Sequence, residues 1–148
     1  MTDSGQSRPI RWRVHLRAAP ADVYAVLDSA RGREAFWAHS APETATGVIS
    51  FRFINGEWVN SRILMRDPPR RWHITYFRDS IVQFELHRCH DGSTDLTVRE
   101  TGVPVDAWHD NFAGWVSVLL SLKATVDFGV DLRNGDTTRT WTEGFVDV

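Results

Sequence analysis

Near the middle of the chain His87, Cys89 and His90 carry donor atoms that a zinc ion takes. Zinc needs three or four nitrogen or sulfur ligands converging in a tetrahedron. An extended backbone puts His87 and Cys89 on one face, just before an Asp91-Gly92 turn, with no fourth ligand evident. The simpler reading is a hairpin end with a polar outer face. No metal is therefore expected, and added zinc or calcium should leave stability unchanged. Glu100 offers different chemistry. It continues the row Leu96, Val98 on one strand face. A carboxylate facing a pocket would bind a ligand group or act as a base with a raised pKa, whereas the simpler reading is a solvated strand end at the rim. Tyr76 has the same two readings: a hydroxyl aimed at a ligand, or one hydrogen-bonded at the edge of the core. His109 and Asp110 are adjacent, so on a helix they do not face each other. Gly-x-Ser-x-Gly, P-loop and dinucleotide fingerprints are absent from the sequence. No catalytic constellation and no cofactor are read from it.

The elements that must position these residues follow from periodicity. Ile10, Trp12, Val14 and Leu16 alternate with Arg11, Arg13 and His15, the pattern of a half-buried strand. Pro20 sits where a helix begins, with Asp22 in its first turn and Val23, Val26 and Leu27 as its apolar stripe. A second short helix is predicted to carry Phe36 and Trp37. Ile49, Phe51 and Phe53 then alternate, and Asn55-Gly56 predicts a two-residue hairpin turn. Val59, Ser61, Ile63 and Met65 return, and Asp67-Pro68-Pro69 ends that strand. Trp72, Ile74 and Tyr76 share a face of the next strand; Val82, Phe84 and Leu86 share a face of another; Leu96, Val98 and Glu100 lie on the last. Such short spacings imply antiparallel neighbours. Trp108, Phe112, Trp115, Leu119, Leu122 and Val126 then recur at helical spacing. With Gly129 as a stop, that helix is roughly 35 Å long.

Composition narrows the function. The net charge of −2 gives no pull toward nucleic acid or an anionic membrane. The single cysteine, Cys89, precludes an internal disulfide, and with no signal peptide evident it suits the cytoplasm. No apolar run approaches the roughly 18 residues of a membrane span. Seven Trp and eight Phe are the unusual feature, and such bulk fills either a core or the wall of a ligand cavity.

Several segments resemble the START-like (SRPBCC) helix-grip superfamily, in the branch of the C-terminal domain of the activator of the heat-shock chaperone ATPase. Arg17-Ala-Ala-Pro-Ala-Asp-Val-Tyr-Ala-Val-Leu27 is similar to that family's first strand end and helix, and Glu34-Ala-Phe-Trp37 to its aromatic second helix. Asp67-Pro-Pro-Arg-Arg-Trp72 resembles its turn, Thr94-Asp-Leu-Thr-Val98 with Gly102 its last strand, and Gly114-Trp-Val-Ser-Val-Leu-Leu-Ser-Leu-Lys123 its long-helix signature. The likeness runs from Ile10 to Phe128. It implies an α+β helix-grip fold: a curved antiparallel sheet of about six strands wrapped on a long C-terminal helix, with two short helices after the first strand. It also implies an apolar pocket, and no single reaction, since such relatives include binders, transporters, cyclases and co-chaperones.

The expected organisation is a flexible N-terminus at 1–9, the domain at 10–130, and an extension at 131–148 that docks through Trp141, Phe145 and Val146. The leading expectation is a protein that binds a small apolar or amphipathic molecule between sheet and helix. Its site would comprise Trp12, Phe36, Trp37, Phe51, Phe53, Trp72, Tyr76, Phe84, Glu100, Phe112, Trp115 and Leu119 around a cavity of roughly 300–1,000 Å³. A cyclase or hydrolase-like enzyme using pocket polar residues is the first alternative, and a co-chaperone-like interaction domain the second. A homodimer is compatible with the sequence; a chaperone partner has no support within it.

Overall fold

The computed structural model describes residues 8–148. Most of the segment expected to be a flexible N-terminus thus lies outside the described residues. The strands are β1 (Ile10–Leu16), β2 (Glu43–Ala45), β3 (Val48–Arg52), β4 (Trp58–Asp67), β5 (Arg71–Thr75), β6 (Ile81–Arg88) and β7 (Thr94–Thr101). The helices are α1 (Pro20–Leu27), α2 (Ala30–Phe36) and α3 (Trp108–Phe128). The seven strands form one open antiparallel sheet in the order β1-β7-β6-β5-β4-β3-β2. The seventh strand, beyond the six the pattern suggests, is the short edge strand β2.

Alternation works as expected in β1: Ile10 and Leu16 are buried, and Arg11, Arg13 and His15 are exposed. On β7, Leu96, Val98 and Glu100 are all enclosed, so Glu100 is a core residue and not a solvated strand end. The β3–β4 connection departs from the expected two-residue turn. Phe53 leaves the strand, and residues 53–57 form the loop, closed by Phe53 N–H to the Glu57 carbonyl at 2.9 Å. Asn55 there accepts from the Glu57 amide at 3.1 Å, a local side-chain turn that competes with a tight hairpin.

α1 begins with Pro20, and α2 with Ser29, which accepts from the Gly32 amide at 3.0 Å. The two helices touch so closely that a Cβ on Gly32 would lie 2.1 Å from the Val26 carbonyl oxygen, so only glycine fits. Trp37 caps α2 instead of lying inside it. Arg33 is buried beneath it, donating to the Leu27 carbonyl at 3.0 Å and twice to Ala41, at 3.1 and 2.7 Å. α3 buries Trp108, Trp115, Leu119 and Leu122 and ends on Gly129, whose left-handed conformation (φ 65°) returns its N–H to the helix's last turn. Asp127, its side chain enclosed, takes the amides of Arg17 (2.9 Å) and Ala18 (3.1 Å) and the Lys123 ammonium at 3.1 Å. This fastens the β1–α1 connection to the end of α3. Burial alone would raise the Asp127 pKa; the two amides and the lysine overcome it and hold the carboxyl below its ordinary range.

Candidate functional site

The interior between sheet and α3 is filled, and its filling is aromatic. Trp37 is the hub. Its ring centroid lies 4.7 Å from that of Phe51, 5.7 Å from Tyr76 and Phe84, 5.8 Å from Trp115, and 6.4 Å from Trp72. At the other end of the helix face, Trp12 meets Phe112 at 4.6 Å and donates its indole N–H to the Phe112 carbonyl at 2.9 Å. Trp108 stacks on Phe112 at 4.7 Å.

Glu100 sits inside this apolar mass. Ser80 donates to Oε2 at 2.6 Å, Trp115 Nε1 to Oε1 at 2.8 Å, and the Asn111 amide approaches both oxygens at 3.3 and 3.4 Å. Every donor is neutral; among the described residues no Lys or Arg pairs with this carboxylate. A buried carboxylate is tolerable only when hydrogen-bonded in this way, so the arrangement fixes Trp115 and Asn111 on α3 against β7.

An open groove of about 840 Å³ lies beside this core. α3 forms one wall with Asn111, Gly114, Trp115, Ser117, Val118 and Ser121. Phe36, Trp37 and Tyr76 form the floor, and Phe53, Asn55 and Glu57 of the β3–β4 loop stand opposite with Phe77 and Arg78. The last wall is the C-terminal segment, through Leu132, Arg133, Trp141 and Val146 to Val148. That segment is held in place. Arg133 donates to the carbonyls of Ala38 (3.0 Å) and Glu34 (2.7 Å), and Asn55 reaches Thr142 at 3.2 Å. Thr140 and Glu143 cap each other reciprocally across the turn Trp141–Glu143.

Of the residues singled out in the sequence, Phe36, Trp37, Phe53, Tyr76 and Trp115 line this groove. Trp12, Phe51, Trp72, Phe84, Glu100, Phe112 and Leu119 do not; they make up the packed core behind it. Tyr76 and Ser121 are among the polar residues that line the groove. The Tyr76 hydroxyl accepts from Trp37 Nε1 at 3.1 Å. Burial pushes its pKa up, the Trp37 bond offsets part of that, and the charges of Glu100 and Glu57 raise it again, so it remains a neutral phenol with a proton to donate. The Ser121 hydroxyl is buried and has no hydrogen-bond partner within the protein. Sequence reasoning missed Asn111, Gly114 and Ser121, although their spacing of three, then seven, on a known helix was the available signal for one face.

A helix-grip architecture with a groove alongside the long helix defines the class of protein, and the comparisons refine it. The model of the family "Activator of Hsp90 ATPase homolog 1-like protein" matches residues 17–127, and this chain belongs to that family. No curated protein matches the chain. Among solved structures it is similar to a protein of Staphylococcus saprophyticus (16% identity, TM-score 0.70, covering 83% of this chain and 94% of that one). It is also similar to the Aha1 dimer of Colwellia psychrerythraea (22%, 0.67, 83% and 98%). A third neighbour is a protein encoded in the dynemicin biosynthetic locus (20%, 0.72, 88% and 56%). At these identities the likeness is one of fold. Among the described residues no helix is long and apolar enough to cross a membrane.

Proposed function

We propose that the protein binds a small amphipathic molecule in the groove beside α3. The observation that carries this reading is an aromatic-floored space of about 840 Å³ whose wall holds a buried hydroxyl, Ser121, with no partner of its own. An unpartnered buried hydroxyl costs about 1–3 kcal/mol, and rotation of the enclosed Ser121 hydroxyl toward the groove would let a ligand group recover it. Apolar walls with a few polar anchors are the usual make-up of a small-molecule site. The ligand would present its hydrophobic body to Trp37, Phe53 and Trp115 and a polar group to Ser121 or the Tyr76 phenol. Much of the mouth comes from residues 132–148, beyond the family match, so the groove's selectivity would be this chain's own. The cyclase-like alternative has less behind it. Glu100, the strongest candidate base, does not line the groove, and both its oxygens are engaged. The single cysteine is a free thiol, which suits a reducing cytoplasm.

The test uses native mass spectrometry of freshly purified protein together with titration by anilinonaphthalene sulfonate, an amphipathic fluorescent probe. One probe per chain, with quenching of Trp emission and a rise in melting temperature by mass action, is the expected result. Tyr76→Phe and Ser121→Ala should each weaken binding of a co-purified polar-headed ligand while leaving the fold intact. Absence of any co-purifying molecule together with no saturable probe binding would overturn the proposal.

A further inference from the structure

The outer face of the sheet, turned away from α3, carries a second arrangement that the groove does not use. β1 pairs β7 with His15 opposite Asp95, and β6 pairs the other side of β7 with His87 opposite the same Asp95. Directly opposed residues of an antiparallel pair project to one face, so His15, Asp95 and His87 form a row across three strands. Cys89 follows His87 by two residues, at the start of the β6–β7 turn, where its amide donates to the Ser93 carbonyl at 2.8 Å and its carbonyl accepts from Gly92 at 2.9 Å. The turn brings its sulfur to the same row. His15 Nδ1 is 2.7 Å from Asp95 Oδ1, and the Cys89 sulfur lies beside the pair. The ligating atoms of His15, Cys89 and Asp95 all lie within 4.8 Å of one another.

We propose that His15, Cys89 and Asp95 bind a zinc-class divalent cation on this outer face. One sulfur, one imidazole nitrogen and one carboxylate oxygen form the mixed donor set that borderline-soft metals take, and the thiolate disfavours calcium and magnesium. With metal–ligand distances of about 2.0–2.3 Å, tetrahedral ligand atoms sit roughly 3.3–3.6 Å apart. Reaching that spacing means opening the hydrogen-bonded His15–Asp95 pair from 2.7 Å and drawing the Cys89 sulfur in from at most 4.8 Å, side-chain adjustments of about 1 Å within reach of exposed and half-buried residues. The fourth position opens to water, with the imidazole of His87 on the neighbouring strand. Thiolate and carboxylate together neutralise the dication; Arg13, two residues from His15 on the same face, also acts on Asp95 and is a nearby charge that opposes binding. A nucleophile reading fits less well. A relay needs the imidazole between thiol and acid, and here the carboxylate is in the middle. The bound ion would tie the edge strand β1 to the β6–β7 hairpin and so stabilise the fold by mass action.

The test is cobalt(II) titration of the reduced protein, followed by displacement with zinc. Wild type should take one cobalt per chain, with the thiolate-to-cobalt charge-transfer absorption of a Cys ligand, and zinc should raise the melting temperature until chelator is added. Cys89→Ser should lose the charge-transfer band. His15→Gln and Asp95→Asn, both at exposed positions, should weaken cobalt binding by at least about tenfold, the scale on which even outer-shell partners act. His90→Gln, a neighbouring histidine outside the set, should bind as wild type does. No charge-transfer band in wild type would overturn the site, as would His15→Gln and Asp95→Asn variants that bind cobalt with unchanged affinity.

Discussion

Replacing Gly114 by leucine should stabilise the protein and close its groove in one step. Gly114 lies within α3 on the groove wall, and a Cβ placed there meets no atom within 4 Å. A glycine inside a helix costs about 1 kcal/mol relative to alanine, and leucine is nearly as good as alanine, so backbone propensity contributes about 0.8 kcal/mol. Half-burying the new side chain in the groove adds about 1 kcal/mol more. The sum, about 1–2 kcal/mol, should raise the melting temperature by roughly 2–4 °C per kcal/mol for a chain of this length. The same side chain occupies the space where a ligand would lie. Urea melts and anilinonaphthalene sulfonate titrations on one preparation read both effects, and probe affinity should fall at least about tenfold, equivalent to 1.4 kcal/mol. A variant destabilised by more than about 1 kcal/mol would show that the space is not there. A stabilised variant that binds the probe as wild type does would show that the groove is not where the probe binds.

Three further outcomes are expected. Trp115→Phe keeps an aromatic ring, though a smaller one, and removes the donor to Glu100 Oε1, and should cost about 1–3 kcal/mol in denaturant melts; Trp115→Ala adds a larger cavity and should cost about 3–5 kcal/mol, and a loss below about 1 would contradict the packing described. Gly32→Ala forces α1 and α2 apart and should cost at least the 1–3 kcal/mol typical of overpacking, read as a lowered midpoint. Asp127 has a folded pKa depressed below the unfolded value of about 3.9. Its contribution is therefore present above pH ~4 and is lost as pH falls through the folded value. Asp127→Asn should cost about 1–3 kcal/mol at neutral pH, with the gap to wild type narrowing progressively in melts taken below pH ~4.

What the sequence could and could not disclose divides along the range of the interactions concerned. Strand alternation in β1 and β7, the helical stripe of α3 and its glycine stop are local patterns, and they were legible because burial imposes a fixed period on consecutive residues. The same alternation could not say whether an inward aromatic borders a space or another aromatic. Phe51 and Trp72 alternate with the groove-lining Phe53 and Tyr76, yet Trp37 packs into the gap they frame with Phe84, and nothing in the local spacing of Trp37 announces that it will leave α2 and become the hub. Glu100 left a pocket carboxylate and a solvated strand end both open, because a lone carboxylate carries no sign of its partners, and those partners, Ser80, Asn111 and Trp115, come from other segments. The outer-face row makes the same point in reverse. His87, Cys89 and His90 looked short of ligands when taken as neighbours in sequence, whereas the β1–β7 register supplies His15 from eighty positions away and Asp95 from the next strand. A site assembled by register becomes visible only once the pairing is known, because a shift of one residue would turn every one of these side chains to the opposite face.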